Sequence, residues 1–409
     1  MFSLLHALPR SVFTWQQNSL TRTLFTRRSS QHNQVGLGLV LAVVTLSFMH
    51  SPANAAPQSS SASFVKEAPK LSQGQWPDHS QSLCFVANET DKYLAKGPSY
   101  DPAAIHGGKL PGLQTSVQRV RDTLQFICQI QQEDAAAGRV SRLTQSAFLQ
   151  QHFEFVRWLP DRASALKLSK NKPLLQNIPA DKILKTKYYV RIAEGSPAKT
   201  AKHPQALYGL PYDEAHLSLE EADRLGKKIT RFQFGKQQIL QGALEQSPQR
   251  APALIWLSRA DLEGALLQGT AVFPTGTGYR YFNVHRNNGI AYDRTLTPEQ
   301  QERYWYFKEV PSVLGYGKDA NYKIPVAPKV TVAGDIRQFG LGKLVLLATI
   351  EGGQLHYRLN VLADTGGAFE NNQFQIDWLS GYYRDWDHYY QDNKHRADYS
   401  QAWFLLKKQ

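Results

Sequence analysis

Two aspartates near the C-terminus are spaced in a way that could support acid–base chemistry. An apolar run over residues 355–363 has the composition of a β-strand, and it ends at Asp364, where residues 365–367 (Thr-Gly-Gly) permit a tight turn. Apolar and polar residues then alternate over 374–377, which predicts a second short strand with Asp377 on one of its faces. We therefore expect the two carboxylates to lie in one neighbourhood.

A carboxyl group can protonate a leaving oxygen at neutral pH only if its pKa is raised, and burial or a nearby negative charge has that effect. Asp364 close to Asp377 would supply such a charge. Most glycosidases use two carboxylates, one as the acid and the other to activate water or attack the sugar. A third aspartate, Asp335, follows the strand-like residues 330–334. Aspartate is also favoured in turns, so a purely structural role for these residues stays open.

The N-terminal region has the composition of an export signal. The first 60 residues contain four arginines and no acidic residue, and an apolar run over 35–49 precedes a small-x-small cleavage pattern at 53–55. We predict a signal peptide over residues 1–55 and a flexible tether, rich in Ser, Pro and Gln, over 56–78. A mitochondrial transit peptide and an uncleaved membrane anchor are the alternatives. No cysteine lies near the cleavage pattern, so a lipid anchor is not expected.

Charge and cysteine content bear on the compartment and on the partners. The net charge is +13 at pH 7, and a basic exported protein suits an anionic polymer such as peptidoglycan or teichoic acid, because its field concentrates such a partner. Export, rather than charge, argues against nucleic acid as a partner. Cys84 and Cys128 are the only cysteines. They can form a disulfide in an oxidising compartment or remain two buried thiols.

Apolar periodicity outlines the rest of the chain. With 409 residues, 42% of them hydrophobic, the chain is long enough for two domains with buried cores. Helical spacing over 81–94 and 115–134 predicts two helices, and residues 145–156 predict a third. Further strands are predicted over residues 183–192, 343–350 and 402–406.

Several short motifs, taken in their order along the chain, resemble those of the lytic murein transglycosylase A family. The matching stretches are residues 186–189 (Thr-Lys-Tyr-Tyr), 206–211 (Ala-Leu-Tyr-Gly-Leu-Pro), 268–270 (Gln-Gly-Thr), 288–292 (Asn-Gly-Ile-Ala-Tyr), and the three-aspartate pattern of Asp335, 364–371 (Asp-Thr-Gly-Gly-Ala-Phe-Glu-Asn) and Asp377. The chain departs from the family pattern where Glu370 replaces a usual Lys and Asn371 replaces a usual Gly. The interval from Asp364 to Asp377 is also two residues longer than is typical of the family.

The resemblance implies a mainly β fold. It consists of a six-stranded double-psi β-barrel with a helical N-terminal layer, and a second β domain is inserted into it. In this sequence the barrel domain would comprise residues 79–189, with the N-terminal helices, and residues 306–409, with the three aspartates. The inserted domain would comprise residues 190–305 and would line a substrate groove.

The same resemblance implies an enzyme that cleaves the MurNAc–GlcNAc β-1,4 bond of peptidoglycan glycan strands and leaves 1,6-anhydromuramic ends. Asp377 would act as the acid and then as the base, and Asp364 and Asp335 would complete the catalytic set. The substrate-binding residues would be Thr186, Tyr188, Tyr189, Gln268, Gly269, Thr270, Asn288, Tyr292, Gly366 and Gly367. No metal or cofactor is implied. The protein would be a monomer in the periplasm or at the periphery of the cell envelope.

Two other classes of protein remain open. A peptidoglycan-binding protein that has lost catalysis would share all of these features. An aspartic protease is suggested by residues 362–366 (Leu-Ala-Asp-Thr-Gly), but those enzymes use two such aspartates that share a proton, and the chain has one copy. A protease would therefore have to form from two copies of this chain, and it would be sensitive to pepstatin.

Overall fold

The computed structural model describes residues 62–71, 73–293, 295–318 and 322–409. The predicted signal peptide lies outside the described residues, as do residues 56–61 of the predicted tether. In place of a flexible tether, Ser63–Lys66 form a strand that pairs antiparallel with Phe153–Leu159, and Phe64 is buried in the core. Burial of the apolar Phe64 side chain stabilises this pairing, which explains why the segment is ordered as a strand.

Strands account for most of the regular structure that positions the site. They are β1 (Ser63–Lys66), β2 (Phe153–Leu159), β3 (Ile183–Arg191), β4 (Gly195–Ser196), β5 (Gln205–Tyr208), β6 (Ala253–Leu257), β7 (Thr270–Thr275), β8 (Gly278–Asn287), β9 (Trp305–Val310), β10 (Thr331–Ala333), β11 (Leu344–Glu351), β12 (Gln354–Asp364), β13 (Gln375–Tyr383) and β14 (Tyr399–Lys407).

Two helices, Ser80–Leu94 and Val117–Ala136, are the longest elements of the described residues, and most of the other helices are short. The helices are α1 (Ser80–Leu94), α2 (Val117–Ala136), α3 (Ser146–His152), α4 (Arg162–Lys167), α5 (Pro173–Gln176), α6 (Leu219–Leu225), α7 (Lys236–Leu240), α8 (Arg259–Gln268), α9 (Ile336–Phe339) and α10 (Trp386–Asn393). Short 3-10 segments lie at Arg142–Thr144, Gly226–Lys228, Thr230–Phe232, Pro298–Gln300 and Gly367–Phe369. Within the described ranges, no helix is both long and apolar enough to cross a membrane.

Six strands close into a barrel. Their order is β14, β11, β12, β10, β13 and β3, and β3 pairs back onto β14 through Leu184 and Tyr399. β2 and β1 extend the sheet outward from β14. Closure pairs each of the six strands with a neighbour on both sides, so their backbone groups are bonded around the whole ring. The prediction of a mainly β protein with a six-stranded barrel is confirmed.

The first two helices pack against the barrel strands. The buried face of α2 carries Val120, Leu124 and Ile127, which belong to the same apolar core as β11, β12 and β14. Ser116 caps α2 by accepting a hydrogen bond from the Arg119 N–H at 3.0 Å. Cys84 of α1 and Cys128 of α2 form a disulfide, with their Cα atoms 4.7 Å apart. Of the two alternatives left by the sequence, the structure therefore has the disulfide.

The third predicted helix, over residues 145–156, is correct in its first part and wrong in its last four residues. α3 ends at His152, and residues 153–159 continue as strand β2 rather than as helix. This stretch is rich in aromatic and β-branched residues, and it pairs along its length with β14 at the other end of the sequence. A pairing partner more than 200 residues away outweighs the local helical spacing.

A second region lies between β3 and β10. It contains two three-stranded sheets, ordered β4-β6-β5 and β7-β8-β9, with an apolar core of its own around Leu207, Leu257 and Phe282. The Ala193 N–H donates to the Val272 carbonyl at 2.9 Å and connects this region to the end of β3. β9 runs across the predicted boundary at residue 305. The division into domains at residues 190 and 305 stays a prediction.

Candidate active site

The central strand β10 brings Asp364 and Asp377 together. Ala333 of β10 pairs with Asp364 of β12 on one side and with Asp377 of β13 on the other. Because neighbouring strands lie about 4.8 Å apart, the Cα atoms of the two aspartates are about 10 Å apart. The β10–β12 pairing has a bulge between Val332 and Ala333, and bulges redirect side chains.

Asp377 has the environment of a general acid. Its Oδ1 atom is buried and accepts no hydrogen bond from any described residue. The pKa of Asp377 is raised to about 7: burial and the negative charge of Asp364 raise it, and Thr186 and Lys187 lower it. Near neutral pH a large fraction of Asp377 is therefore protonated.

Asp364 is better stabilised as an anion. Its Oδ2 atom accepts a hydrogen bond from the Tyr188 hydroxyl at 2.8 Å, and its Oδ1 atom accepts one from the Thr365 N–H at 2.8 Å. Burial raises the pKa of Asp364 to about 6, whereas these two hydrogen bonds and the charge of Lys323 lower it. Three interactions thus favour the anionic form of Asp364.

Thr186 of the neighbouring strand β3 and Gln375 of β13 are hydrogen-bonded to each other beside Asp377. Thr186 of β3 pairs in register with Asp377, and its hydroxyl donates to the Ile376 carbonyl at 3.0 Å. The same hydroxyl accepts a hydrogen bond from Gln375 Nε2 at 2.9 Å, and Gln375 Oε1 accepts one from Asn372 at 3.2 Å. This chain of hydrogen bonds fixes the loop before β13 against β3.

A small cleft lies beside Asp364. It is lined by Tyr188, Tyr189, Val190, Gln268, Thr270, Val313, Leu314 and Asp364. The predicted Gln-Gly-Thr and Tyr-Tyr motifs, which are far apart in sequence, therefore meet at the same cleft. Tyr189 also stacks on Tyr389 of α10, with ring centroids 4.8 Å apart.

The turn after α8 is held in place by backbone and side-chain contacts. Gln268 Oε1 accepts a hydrogen bond from the Arg191 N–H at 3.0 Å. Gly269 ends α8 in the left-handed conformation, with φ at +72°, which favours glycine. Thr270 Oγ1 accepts a hydrogen bond from Asn283 Nδ2 at 2.8 Å. Gln268 and Thr270 are thus oriented toward the cleft by the second region and by β3 together.

Asp335 does not line the cleft. Asp335 is buried, at 1% exposure. Its Oδ1 atom accepts a hydrogen bond from the Gln338 N–H at 3.2 Å and so caps α9. Burial raises the pKa of Asp335 to about 6, and backbone N–H groups of residues 337–338 and 371–372 lower it. Asp335 thus caps α9, and its buried Oδ2 atom accepts no hydrogen bond from any described residue. These contacts are structural ones, and the place of Asp335 in the catalytic set stays a prediction.

Asn288 and Tyr292 are also placed away from Asp364. Asn288 is buried, and its Nδ2 group donates to the carbonyls of Phe234 at 3.0 Å and Glu302 at 2.9 Å. Its Oδ1 atom accepts from the Tyr304 N–H at 3.0 Å, so the amide is committed to backbone groups. Tyr292 lines a different cavity, beside α8. The structure does not bring these two predicted substrate contacts to the aspartate pair.

Gly366 and Gly367 follow directly after the Asp364 turn. Gly366 is extended, with φ at −154°, and its carbonyl accepts from the Phe369 N–H at 3.0 Å. Gly367 is exposed and begins a 3-10 segment. The role of Gly366 and Gly367 in substrate binding stays a prediction.

Lys323 was missed by the sequence reasoning, although its charge acts on Asp364. It lies in the connection between β9 and β10, where no motif drew attention to it. Only the hairpin pairing of residues 314 and 325 places it there, and that pairing has no clear sequence signal. In the described part of the chain, no group of three or more His, Cys, Asp or Glu side chains is arranged to hold a metal ion.

No family model matches this chain, and no curated protein matches it. Among solved structures, it is similar to the lytic transglycosylase LtgG of Burkholderia pseudomallei, at 18% identity over 86% of this chain and 97% of that chain, with a TM-score of 0.45. It is also similar to E. coli MltA with bound chitohexaose, at 16% identity over 85% and 95% of the two chains, with a TM-score of 0.48. A third match is MltA from Neisseria gonorrhoeae, at 15% identity over 81% and 90%, with a TM-score of 0.47.

These solved structures are MltA-type lytic transglycosylases, the family that the sequence motifs resemble, and they cover most of the chain. The identities are low, so the function has to be inferred from the site itself.

Proposed function

We propose that the protein is a peptidoglycan lytic transglycosylase that cleaves the MurNAc–GlcNAc β-1,4 bond and leaves 1,6-anhydromuramic ends. The observation that carries this proposal is the pair of buried carboxylates on either side of Ala333, of which Asp364 lines the cleft. Asp377 has a pKa of about 7 and a buried oxygen to which no described residue donates a hydrogen bond, and Asp364 beside it has a pKa of about 6. The double-psi connectivity of the barrel belongs to the same proposal.

The proposed reaction uses one proton donor twice. Asp377 gives its proton to the glycosidic oxygen, and the bond between that oxygen and C1 of MurNAc breaks, so that positive charge develops at C1. The anionic Asp364 stabilises this charge. The Asp377 carboxylate then takes the proton of the sugar's own C6 hydroxyl as O6 bonds to C1. The proton count closes, and no water is consumed.

Ring closure within one sugar also avoids the entropy loss of bringing in a second molecule, which is large for well-oriented groups. Tyr188 supports the scheme by donating to Asp364 at 2.8 Å, which keeps that carboxylate from turning away. The side chains of Gln268 and Thr270 at the same cleft are suited to hydroxyl and amide groups of a glycan.

The departures from the family pattern at Asn371 and Glu370 are compatible with this proposal. Asn371 has a φ of +56°, a left-handed conformation that glycine and asparagine tolerate best, so Asn replaces Gly without a change of backbone path. Glu370 is exposed, beside the end of the 3-10 segment Gly367–Phe369. An exposed carboxylate there adds little cost to the fold.

A digest of purified sacculi tests the proposal. A lytic transglycosylase releases muropeptides with anhydro ends, which are lighter by one water than the reducing-end products of a hydrolase. Chromatography with mass spectrometry separates the two. Reducing ends would indicate ordinary hydrolysis, and binding of sacculi without any release would indicate the non-catalytic alternative. Pepstatin-sensitive cleavage of a peptide substrate would indicate the protease.

Activity is expected to follow a bell-shaped pH profile with its maximum between about pH 6 and 7. The acid limb reflects Asp364, which has to be ionised and has a pKa of about 6, and the basic limb reflects Asp377, which has to be protonated and has a pKa of about 7. In Asp364→Asn the acid limb should disappear, and the basic limb should move to lower pH because the repulsion on Asp377 is lost. Initial rates of anhydro-end release across pH 4–9 measure both limbs; a flat profile in this range would contradict the assignment.

A further inference from the structure

The connection between β9 and β10 is fastened directly beside Asp364. The Gly315 N–H donates to the Ile324 carbonyl at 2.8 Å, and the Ile324 N–H donates to the Tyr316 carbonyl at 2.8 Å, which makes a small hairpin. The Tyr316 N–H donates to the Ala363 carbonyl at 3.0 Å, one residue before Asp364. Leu314 of the same hairpin lines the cleft. The hairpin therefore has a fixed position relative to the end of β12.

This hairpin carries Lys323, and its ammonium group takes part in a series of side-chain hydrogen bonds. Lys323 Nζ donates to Asn283 Oδ1 at 3.3 Å, and Asn283 Nδ2 donates to Thr270 Oγ1 at 2.8 Å. Asn283 is 3% exposed, and Thr270 lines the cleft together with Asp364. These hydrogen bonds thus join Lys323 to β8 and β7, and the last residue, Thr270, lines the cleft of the proposed site.

Lys323 is half-buried, and its hydrogen-bond acceptor, Asn283 Oδ1, belongs to an uncharged amide. Burying an ammonium group costs less when a negative charge lies nearby. Burial and the charge of Lys308 lower the pKa of Lys323 and the attraction of Asp364 raises it, so that the pKa lies below its ordinary value. The same attraction lowers the pKa of Asp364.

We propose that Lys323 is a positioning residue that keeps Asp364 in its anionic form beside Asp377, with Asn283 and Thr270 holding the ammonium group in place. The inference rests on the proposed function for its catalytic meaning, but the charge relation between Lys323 and Asp364 can be measured without any reaction. Lys323 acts through Asp364, and no contact of its own with the reacting atoms is required.

Titratable and polar groups face this pair from several elements. Asp364 is faced by Tyr188 of β3, by Lys323 of the hairpin and by Asp377 of β13. Asp377 is faced in addition by Thr186 and Lys187 of β3 and by Tyr389 of α10. Lys308 of β9 lies opposite Asn283 in the β8–β9 register and acts on Lys323.

Removing the Lys323 charge should change both carboxylates in a defined direction. Without the ammonium group Asp364 retains its proton to higher pH, so less negative charge acts on Asp377 in the neutral range. Asp377 then gives up its proton at lower pH. The two limbs of the activity profile therefore approach each other, and the fraction of enzyme with one ionised and one protonated aspartate falls.

Lys323→Met is the variant that tests this inference, with Lys308→Met as the matched control and Lys323→Arg as the rescue. The carboxyl ¹³C signals of Asp364 and Asp377 are followed against pH in the full chain labelled at aspartate, and they are assigned with Asp364→Asn and Asp377→Asn. For an opposite charge that acts beyond direct contact, we expect the Asp364 midpoint to rise by about 0.5–1 pH unit in Lys323→Met. It should stay within error of the wild type in Lys308→Met and return toward it in Lys323→Arg.

An Asp364 midpoint that is unchanged in a folded Lys323→Met protein would overturn the inference, and so would an equal rise in Lys308→Met. Circular dichroism and the unfolding midpoint establish folding; if Lys323→Met does not fold, Lys323→Gln replaces it in the same titration. In active protein the acid limb of the rate profile should move by the same amount as the carboxyl signal. If wild-type protein releases no anhydro ends, the proposed function fails, and the titration still decides the role of Lys323.

Discussion

Replacing Asp377 with Asn is expected to reduce the release of anhydro ends from purified sacculi by about 10²–10⁴-fold, the usual contribution of a positioned acid–base group. The amide has the same shape as the carboxylic acid, but it can neither protonate the glycosidic oxygen nor take up the C6 hydroxyl proton. Chromatographic counting of anhydro ends measures the effect. Asp387→Asn, at an exposed position of α10, is the matched control and should keep full activity.

The same substitution should leave the fold intact or stabilise it. The folded-state pKa of Asp377, about 7, lies above its ordinary value of 3.8, so the folded protein binds this proton more tightly than the unfolded chain does. Stability from this group is therefore greatest at low pH and is lost as the pH rises through 7. Above pH 7, the Asp377→Asn substitution should raise the free energy of unfolding by about 1–4 kcal/mol, with little effect near pH 4.

Urea denaturation at pH 8 and at pH 4 checks this second effect. A variant that is inactive and also less stable at pH 8 would mean that the Asp377 carboxylate holds the fold together. The loss of activity could then not be assigned to acid catalysis. An active Asp377→Asn protein would eliminate the proposed mechanism outright.

Removing the disulfide between α1 and α2 is expected to lower the free energy of unfolding by about 4 kcal/mol in the chain-entropy account of a cross-link that closes a loop of this length. Cys84 and Cys128 are 44 residues apart, and their helices cover the barrel strands rather than the cleft. The double variant Cys84→Ser, Cys128→Ser should therefore unfold at lower urea concentration and keep its activity where it is still folded.

Urea unfolding of wild-type protein with and without reductant provides the control for this prediction. Reductant should shift the wild-type midpoint toward that of the double variant and leave the double variant unchanged. Equal midpoints for all four samples would show that the cross-link adds nothing to stability.

The elements with strong local patterns were predictable from the sequence. α1 and α2 lie within two residues of the predicted 81–94 and 115–134, because their apolar positions repeat with helical spacing. β12 covers the predicted strand 355–363, whose apolar composition is typical of a strand. The first four residues of β2 fall within a predicted helix. They form a strand because β2 pairs with β14, and local sequence patterns do not show that pairing.

The site was predictable in part. Period-two alternation placed Asp377 on a strand face, but the strand that lies between Asp364 and Asp377 is β10, and nothing in the sequence orders these three strands. A motif match gives residue types and not the direction of a side chain. Asn288 matches its motif and yet binds backbone groups, whereas Lys323 matches none and acts on Asp364.

Ala333 has a consequence for how this site can change over evolutionary time. Asp364 and Asp377 are both paired through the main chain with one alanine, so the sheet sets their separation rather than the length of the segment that joins them. Residues can be gained in that segment while this pairing is kept. Substrate preference can therefore diversify in the connecting loop independently of the chemistry.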